Sequence, residues 1–347
     1  MEAALRVNPG QTDVMRPLAS LLILEGAYKP AAAWLEKAAS LEPGLIEHWN
    51  TLAYAHAYAL DFDQARRAVE QYRKLAVDDP NASDTAAEIA WMAGDYRQAE
   101  ALFLEAQAKS PGFLNGMEFY RAAMARFLTG DTPGADALYR KYEESRSAAA
   151  DPLLTVKQAH WLMLTGRMKE GQDKAAQIAS GQSEAAARAG TLLAFTLAQE
   201  GQRDKAGEVL RATIAKVKSP AAMAAAGSVA FLAQPKASVP EWQQRADRAI
   251  QPQAGPRLRA LMLYYAFLLD RHWAEATRIG EEVLRQTEPS QADEIRMLTG
   301  LAHLELTQKD RARQLLGRPP LPPAPGDALF STLYFPRFRD WRKQAGL

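Results

Sequence analysis

The sequence predicts an all-α fold, an α-solenoid built from repeated helix-turn-helix units. Two observations predict it, and both recur with a period of about 35 residues. A turn residue interrupts the helical pattern at eight positions, Gly26, Leu60, Gly94, Gly130, Gly166, Gly201, Arg271 and Thr307. A small residue follows each turn five positions later, at Ala31, Ala65, Ala99, Ala135, Gly171, Ala206, Ala276 and Ala312.

Each part of this unit has a physical reason. A small residue where two helices cross lets the two backbones approach closely. An acidic residue near the turn can cap the second helix, and four are available, Asp61, Asp95, Asp131 and Asp310. Prolines between units then block continuation of the helix, at Pro9, Pro43, Pro80, Pro111, Pro152, Pro220 and Pro289. Because one pair cannot bury its own apolar face, successive pairs must stack.

The chain length supports a repeat rather than a single compact core. The sequence has 347 residues, and single cores stop growing at about 250 to 300 residues. The step of 70 residues from Gly201 to Arg271 is twice the period, so we expect one divergent unit at 219–251.

The units resemble the tetratricopeptide (TPR) repeat, which has aromatic, Leu and small residues at fixed offsets and a closing Pro. The best copy contains Trp49, Leu52, Ala53, His56, Phe62, Ala65 and Val69. The resemblance covers about residues 3–317 and implies a right-handed superhelix. It also implies that the first helix of each pair lines a concave groove, which in such proteins binds a protein segment.

The sequence can be divided into four parts. We expect residues 1–10 to be the end of a truncated repeat and 11–317 to form about nine repeats. Residues 318–326 are a proline-rich spacer, and 327–347 are a capping helix or tail. Residues 4–10 match 38–44, which suggests that the chain was cut from a longer protein. Residues 333–347 resemble the closing helix of TPR arrays in bacterial signalling and regulatory proteins.

Composition and motifs argue against several functions. With 42 Lys plus Arg and 41 Asp plus Glu, no net field favours nucleic acid. The absence of Cys removes thiol chemistry, and no apolar run reaches the ~20 residues of a membrane span. No phosphate-binding or nucleophile motif occurs. We therefore expect no catalytic residues, no cofactor, no membrane insertion and a cytoplasmic location, or a periplasmic one if an upstream signal was removed.

The histidines do not suggest a metal site. They are scattered over different units, at His48, His56, His160, His272 and His303. None forms the pattern that places two ligands on one helical face. His56 and His303 stand where the repeat has an aromatic residue, so packing is the expected role.

The helical periodicity of the first helices predicts which residues line the groove. If Leu52 and Ala53 face the partner helix, the residues turned away from them define the groove. They are Asn50, Tyr54, Tyr58, Glu88, Trp91, Met92, Tyr120, Met124, Phe127, His160, Met163 and Phe195. The alternative for the Tyr120, Met124 and Phe127 stripe is packing against the next unit.

One TPR subclass does not fit. Cochaperone TPR domains that grip an acidic C-terminal carboxylate use Lys and Asn on successive first helices. The corresponding surface here has no Lys, and it carries two acidic residues, Asp84 and Glu88, which would repel a carboxylate. We therefore do not expect a carboxylate clamp.

The predicted function is a non-catalytic protein-protein interaction scaffold that binds a peptide or helix in the groove, within a bacterial signalling protein. The alternative is a small-molecule sensor domain of a transcriptional regulator. The tail adds an intramolecular contact, because it has seven large apolar side chains that must dock. They are Leu329, Phe330, Leu333, Tyr334, Phe335, Phe338 and Trp341. They could cap the last helix pair or occupy the groove.

Overall fold

The computed structural model describes residues 10–217, 219–249, 255–326 and 328–347, and these residues form an all-α fold. The expected repeat end at residues 1–10 lies outside the described residues, except for Gly10. Apart from a short 3-10 turn at Phe113–Gly116, the regular elements of the described chain are α-helices. None of these helices has the length and apolar character needed to cross a bilayer.

Twenty helices occur in the described chain. The first ten are α1 (Thr12–Leu24), α2 (Tyr28–Leu41), α3 (Ile46–Tyr58), α4 (Phe62–Leu75), α5 (Pro80–Met92), α6 (Tyr96–Lys109), α7 (Met117–Leu128), α8 (Thr132–Ala148), α9 (Leu154–Leu164) and α10 (Met168–Ala179). The others are α11 (Glu184–Gln199), α12 (Arg203–Ile214), α13 (Pro220–Leu232), α14 (Val239–Ala249), α15 (Pro256–Asp270), α16 (Trp273–Leu284), α17 (Asp293–Glu305), α18 (Lys309–Leu316), α19 (Ser331–Tyr334) and α20 (Phe338–Ala345).

The helices pack in consecutive pairs, as the sequence predicts. The pairs α1–α2, α3–α4, α5–α6, α7–α8, α9–α10, α11–α12 and α15–α16 are in extensive contact. In the divergent segment, the rings of Phe231 on α13 and Trp242 on α14 lie 5.1 Å apart. The all-α fold of paired helices is thereby confirmed.

The predicted turns adopt one backbone conformation. All eight turn residues have positive φ, from 60° at Thr307 to 95° at Gly130. Leu60 and Arg271 also adopt this left-handed conformation, although glycine is the residue that does so without steric cost. The turn between paired helices therefore imposes its geometry even where the residue is not glycine.

The small residues lie at the helix crossings. The seven alanines of the set are fully buried, with 0% exposure. At Gly171 on α10, a Cβ atom would lie 2.8 Å from the carbonyl oxygen of Ala159 on α9. Such a distance leaves no room for a side chain, so the crossing depends on the absence of one.

Aspartates cap the second helix in three pairs. The carboxylates of Asp61, Asp95 and Asp131 accept hydrogen bonds from the backbone N–H three residues later. This satisfies one of the unpaired N–H groups at the start of each helix. The fourth candidate, Asp310, lies within the first turn of α18.

The chain forms two compact units. The first comprises the described residues up to Ala149, with Arg285–Asp293 and Gly317–Pro322. The second comprises Ala150–Leu284, Glu294–Leu316 and Pro323–Leu347. A buried cluster in the first unit contains Met15, Leu18 and Ala38, and one in the second contains Val156, Met163 and Ala189, among others.

We expect Ala99→Leu to lower the free energy of unfolding by about 1–3 kcal/mol, because the larger side chain overpacks a tight crossing. The matched control is Ala101→Leu, which makes the same change at an exposed position of α6. It should change stability by less than about 0.5 kcal/mol. Urea unfolding followed by circular dichroism measures both. Equal stability of the two variants would show that Ala99 does not lie at a crossing.

We expect opposite signs for two glycine-to-alanine changes inside helices. Gly171→Ala should destabilise the protein, because the new methyl group meets the Ala159 carbonyl oxygen. Gly227→Ala should stabilise it by about 0.5–1 kcal/mol, because nothing lies within 4 Å of the new atom and alanine favours helix. Differential scanning calorimetry gives both shifts. A stabilising Gly171→Ala would contradict the close approach of α9 and α10.

Candidate functional site

In each unit the first helices of the pairs present a face, which we call the first-helix face of that unit. The part of the C-terminal segment (318–326 and 328–334) that belongs to the unit lies against it. In the first unit, Trp91 on α5 is fully buried, and its Nε1–H donates to the carbonyl oxygen of Pro320 at 2.7 Å. The backbone N–H of Leu321 donates to Oδ2 of Asp293 at 2.6 Å. The main chain of the segment is therefore held by side chains of the protein.

Arg318 begins this contact. Its guanidinium lies over the ring of Tyr58, 5.1 Å from the centroid, and forms an ion pair with Asp293 at 2.8 Å. It also donates to the carbonyl oxygen of Pro289 at 3.2 Å. A cation above an aromatic face is attracted by the ring quadrupole, more strongly when it is desolvated. Arg318 is only 5% exposed, so this contact is a desolvated one.

A cavity of about 490 Å³ lies beside this part of the segment. Three predicted groove residues, Tyr54, Tyr58 and Glu88, line it together with Arg121 from α7. The lining also includes Leu321 and Pro322 of the segment, the stretch Glu288–Ser290, and Ser20, Ile23 and Thr51. The hydroxyl of Tyr54 donates to Oε2 of Glu88 at 2.7 Å. The predicted groove residue Asn50 stands nearby on α3 and accepts from the Thr85 hydroxyl at 3.2 Å.

An acidic cluster holds Arg121 at the edge of this cavity. The guanidinium contacts Asp84 at 2.6 Å, Glu118 at 3.2 Å and Glu88 at 3.4 Å. Burial, with the neighbouring Asp84 carboxylate second, raises the pKa of Glu118 to about 8. Burial also raises the pKa of Glu88, although Arg121 opposes it. The single guanidinium of Arg121 therefore pairs with three carboxyl groups in a poorly solvated environment.

His160 on α9 anchors the segment in the second unit. It is 1% exposed, and burial lowers its pKa to about 4, so the ring is neutral at pH 7. The backbone N–H of Gly326 donates to its Nδ1 at 2.9 Å. Nδ1 is therefore the acceptor, and Nε2 carries the proton and donates to the Ser331 hydroxyl at 2.9 Å. One imidazole thus binds two points of the segment.

Phe330 is the aromatic anchor of the segment. Its ring stacks on Tyr265 of α15, with centroids 3.7 Å apart, and forms a T-shaped contact with Phe195 on α11, with centroids 4.8 Å apart. The Tyr265 hydroxyl donates to the Glu294 carboxylate, and burial raises the pKa of that carboxyl to about 7. Gln199 on α11 donates through Nε2 to the carbonyl oxygen of Thr332 at 3.3 Å. The segment is therefore bound by both its side chains and its main chain.

The other predicted groove residues pack among the helices. Tyr120 is buried against the rings of Tyr139 and Tyr142 on the second helix of its own pair. Met163 is buried beside Gly171 at the α9–α10 crossing. Met92 and Met124 are also buried, and Phe127 is half-buried. None of these five side chains lines the cavity of the first unit.

Several contacting residues were not among the sequence candidates. Tyr265 lies 70 residues, or two repeat periods, beyond Phe195, so extending the phase across the divergent unit would have found it. Gln199 lies one helical turn after Phe195 on the same helix. Arg121 and Glu118 carry no such signal, because a buried ion cluster has no local sequence pattern.

The end of the tail packs elsewhere. Helix α20 lies against α18, and Arg313 on α18 donates through Nε to the carbonyl oxygen of Ala345 at 2.7 Å. Phe338 and Trp341 of α20 are buried. In the second unit the tail thus contacts both the first-helix face, through Phe330, and the last helix pair, through α20. The two placements considered from the sequence do not exclude each other.

Metal ligation finds no support in the described chain. No group of three or more His, Asp or Glu side chains among the described residues is arranged to hold a metal ion. The contacts observed on the face are hydrogen bonds, aromatic stacking and ion pairs.

No family model and no curated protein matches the sequence. Among solved structures, that of Naa15/Naa10 bound to HypK-THB matches with 14% identity and TM-score 0.34, over 91% of this chain and 59% of that one. Yeast Tom70 matches with 13% identity and TM-score 0.35, over 99% of this chain and 58% of that one. A tetratricopeptide repeat protein from Parabacteroides merdae matches with 11% identity and TM-score 0.33, over 97% and 99%. This chain spans less than two thirds of the first two, and at these TM-scores no functional argument rests on any of the three.

Proposed function

We propose that the protein is a non-catalytic interaction scaffold whose first-helix face binds an extended polypeptide segment. The observation that carries this proposal is the C-terminal segment itself, which lies on that face. Trp91 and Gln199 donate to its carbonyl oxygens, and His160 accepts from its Gly326 N–H. Side chains that bind main-chain groups are suited to extended peptides of more than one sequence.

The composition of the segment fits this mode of binding. Residues 318–326 contain five prolines, so the segment has few conformations to lose when it binds. The Phe330 ring between Phe195 and Tyr265 supplies the side-chain contact that main-chain hydrogen bonds lack. A partner of similar chemistry, proline-rich with a following aromatic residue, would use the same contacts.

The C-terminal segment is also a competitor for this face. Because it belongs to the same chain, its effective concentration near the face is on the order of millimolar. A partner must therefore displace it or bind beside it. For a partner that must displace the segment, the apparent affinity is the intrinsic affinity multiplied by the fraction of molecules in which the face is free.

A place in a bacterial signalling protein remains part of this proposal. It rests on the resemblance of residues 333–347 to the closing helix of bacterial TPR arrays.

The alternative function, small-molecule sensing, is supported by the cavity of about 490 Å³ in the first unit. That volume lies in the range of ordinary ligand pockets.

We expect Phe330→Ala to open the face in the second unit to an added peptide. The probe is a fluorescein-labelled peptide with the sequence of residues 318–335, added to the full chain and followed by fluorescence anisotropy. The variant should bind it at least about tenfold more tightly than the wild type, because loss of the aromatic stack weakens the internal competitor by roughly 1.4 kcal/mol or more.

Two controls define this experiment. Ala324→Ser changes an exposed position of the same segment and should bind like the wild type. A peptide with Ala in place of the phenylalanine that corresponds to Phe330 should bind the Phe330→Ala variant more weakly than the parent peptide. If the variant keeps its helical signal and melting temperature yet does not bind the peptide better than the wild type does, the proposal is wrong.

A further inference from the structure

The cavity in the first unit has aromatic walls on one side. Tyr54 and Tyr58 are four residues apart on α3 and therefore lie on one face of that helix. Their rings are stacked, with centroids 6.1 Å apart, and Tyr28 approaches Tyr58 at 5.6 Å. Tyrosine faces of this kind favour a cation over a neutral polar group.

The charges at and around the cavity are predominantly negative. Five carboxyl groups belong to the set, Asp84, Glu88, Glu118, Glu288 and Asp293, and two guanidiniums, Arg121 and Arg318. With a pKa of about 8, Glu118 is mostly protonated at pH 7. The remaining four carboxyl groups still outnumber the two guanidiniums.

Glu88 is the carboxylate that a new cation would reach. It lines the cavity, whereas its partner Arg121 is shared with Asp84 and Glu118. The contact from Arg121 to Glu88 is the longest of the three, at 3.4 Å. A desolvated carboxylate with incomplete compensation gains free energy when a cation is placed beside it.

The chain already shows how a cation binds here. Arg318 uses the ring of Tyr58, the carboxylate of Asp293 and the carbonyl oxygen of Pro289. Pro289 and Tyr58 also line the open cavity. Arg318 already occupies these partners, but the cavity offers a second cation others of the same kinds: the ring of Tyr54 and the carboxyl groups of Glu88 and Glu288.

We propose that this cavity binds an organic guanidinium or ammonium cation, contributed by a basic side chain of a polypeptide or by a small amine. The tyrosine walls suit the aliphatic stem of such a group, and Glu88 and Glu288 suit its charge. A hard metal ion would need about six oxygen ligands, more than these two carboxylates supply. The proposal goes beyond peptide binding in the second unit and does not require displacement of the segment from His160 or Phe330.

The experiment is isothermal titration calorimetry of the full chain with three probes. N-acetyl-arginine amide represents a side chain, agmatine represents a small amine, and N-acetyl-citrulline amide is the neutral isostere. At least one cationic probe should bind, and the citrulline probe should bind at least about tenfold more weakly, because it lacks the charge. Binding of the arginine amide alone assigns the site to a polypeptide side chain, and binding of agmatine alone assigns it to a small amine.

Matched variants locate the binding. Glu88→Gln should weaken the cationic probe about tenfold, and Glu47→Gln, an exposed change on α3 outside the cavity lining, should leave binding unchanged. Glu288→Gln changes an exposed residue of the lining, so it tests the site without disturbing the fold. It should weaken binding about two- to threefold.

Three results would overturn the cation site. They are absence of binding by either cationic probe up to about 10 mM, equal binding of the citrulline probe, and unchanged binding in both Glu88→Gln and Glu288→Gln. Phe330→Ala should leave cation binding unchanged, because Phe330 belongs to the second unit. The peptide experiment with Phe330→Ala and the cation titrations can therefore fail independently of each other.

Discussion

The close crossing of two helices at a buried small residue is the constraint on which the rest of the structure depends. At Gly171 the backbones of α9 and α10 approach so closely that a Cβ atom would meet a carbonyl oxygen. Once the second helix of a pair packs this closely on one side of the first, the opposite side of the first helix is left free for other contacts. Tyr54, Trp91 and Phe195 all lie on first helices, and so the repeated crossing gives a repeated face.

The face is polar at selected points rather than uniformly apolar. His160 is neutral because it is buried, and this leaves Nδ1 able to accept from a main-chain N–H. Trp91 supplies a donor, and Asp293 supplies an acceptor for the Leu321 N–H. Isolated buried polar groups of this kind are costly unless paired, so the segment that pairs them also stabilises the helices that carry them.

The sequence predicts the repeat well because the repeat is determined by residue types at fixed spacing within each unit. A positive φ at each turn and a fully buried alanine at most crossings both follow from the spacing of small and turn residues. The site is predicted less completely, because apolar periodicity does not show which side of a broad apolar stripe meets the paired helix. Tyr120 therefore packs against Tyr142, while Tyr54 lines the cavity. Tyr265 follows from extending the repeat phase by two periods beyond Phe195, whereas Arg121 could be recognised only from contacts between distant parts of the chain.

Side chains of the first-helix face bind the main chain of the C-terminal segment. Site-resolved amide hydrogen exchange, measured by NMR on the full chain, reports these bonds one amide at a time. The Gly326 N–H, bound to His160, should exchange markedly more slowly than an unstructured amide of the same sequence, and so should the Leu321 N–H, bound to Asp293. Exchange of both amides at the rate of an unstructured peptide would contradict the binding of this segment by the face.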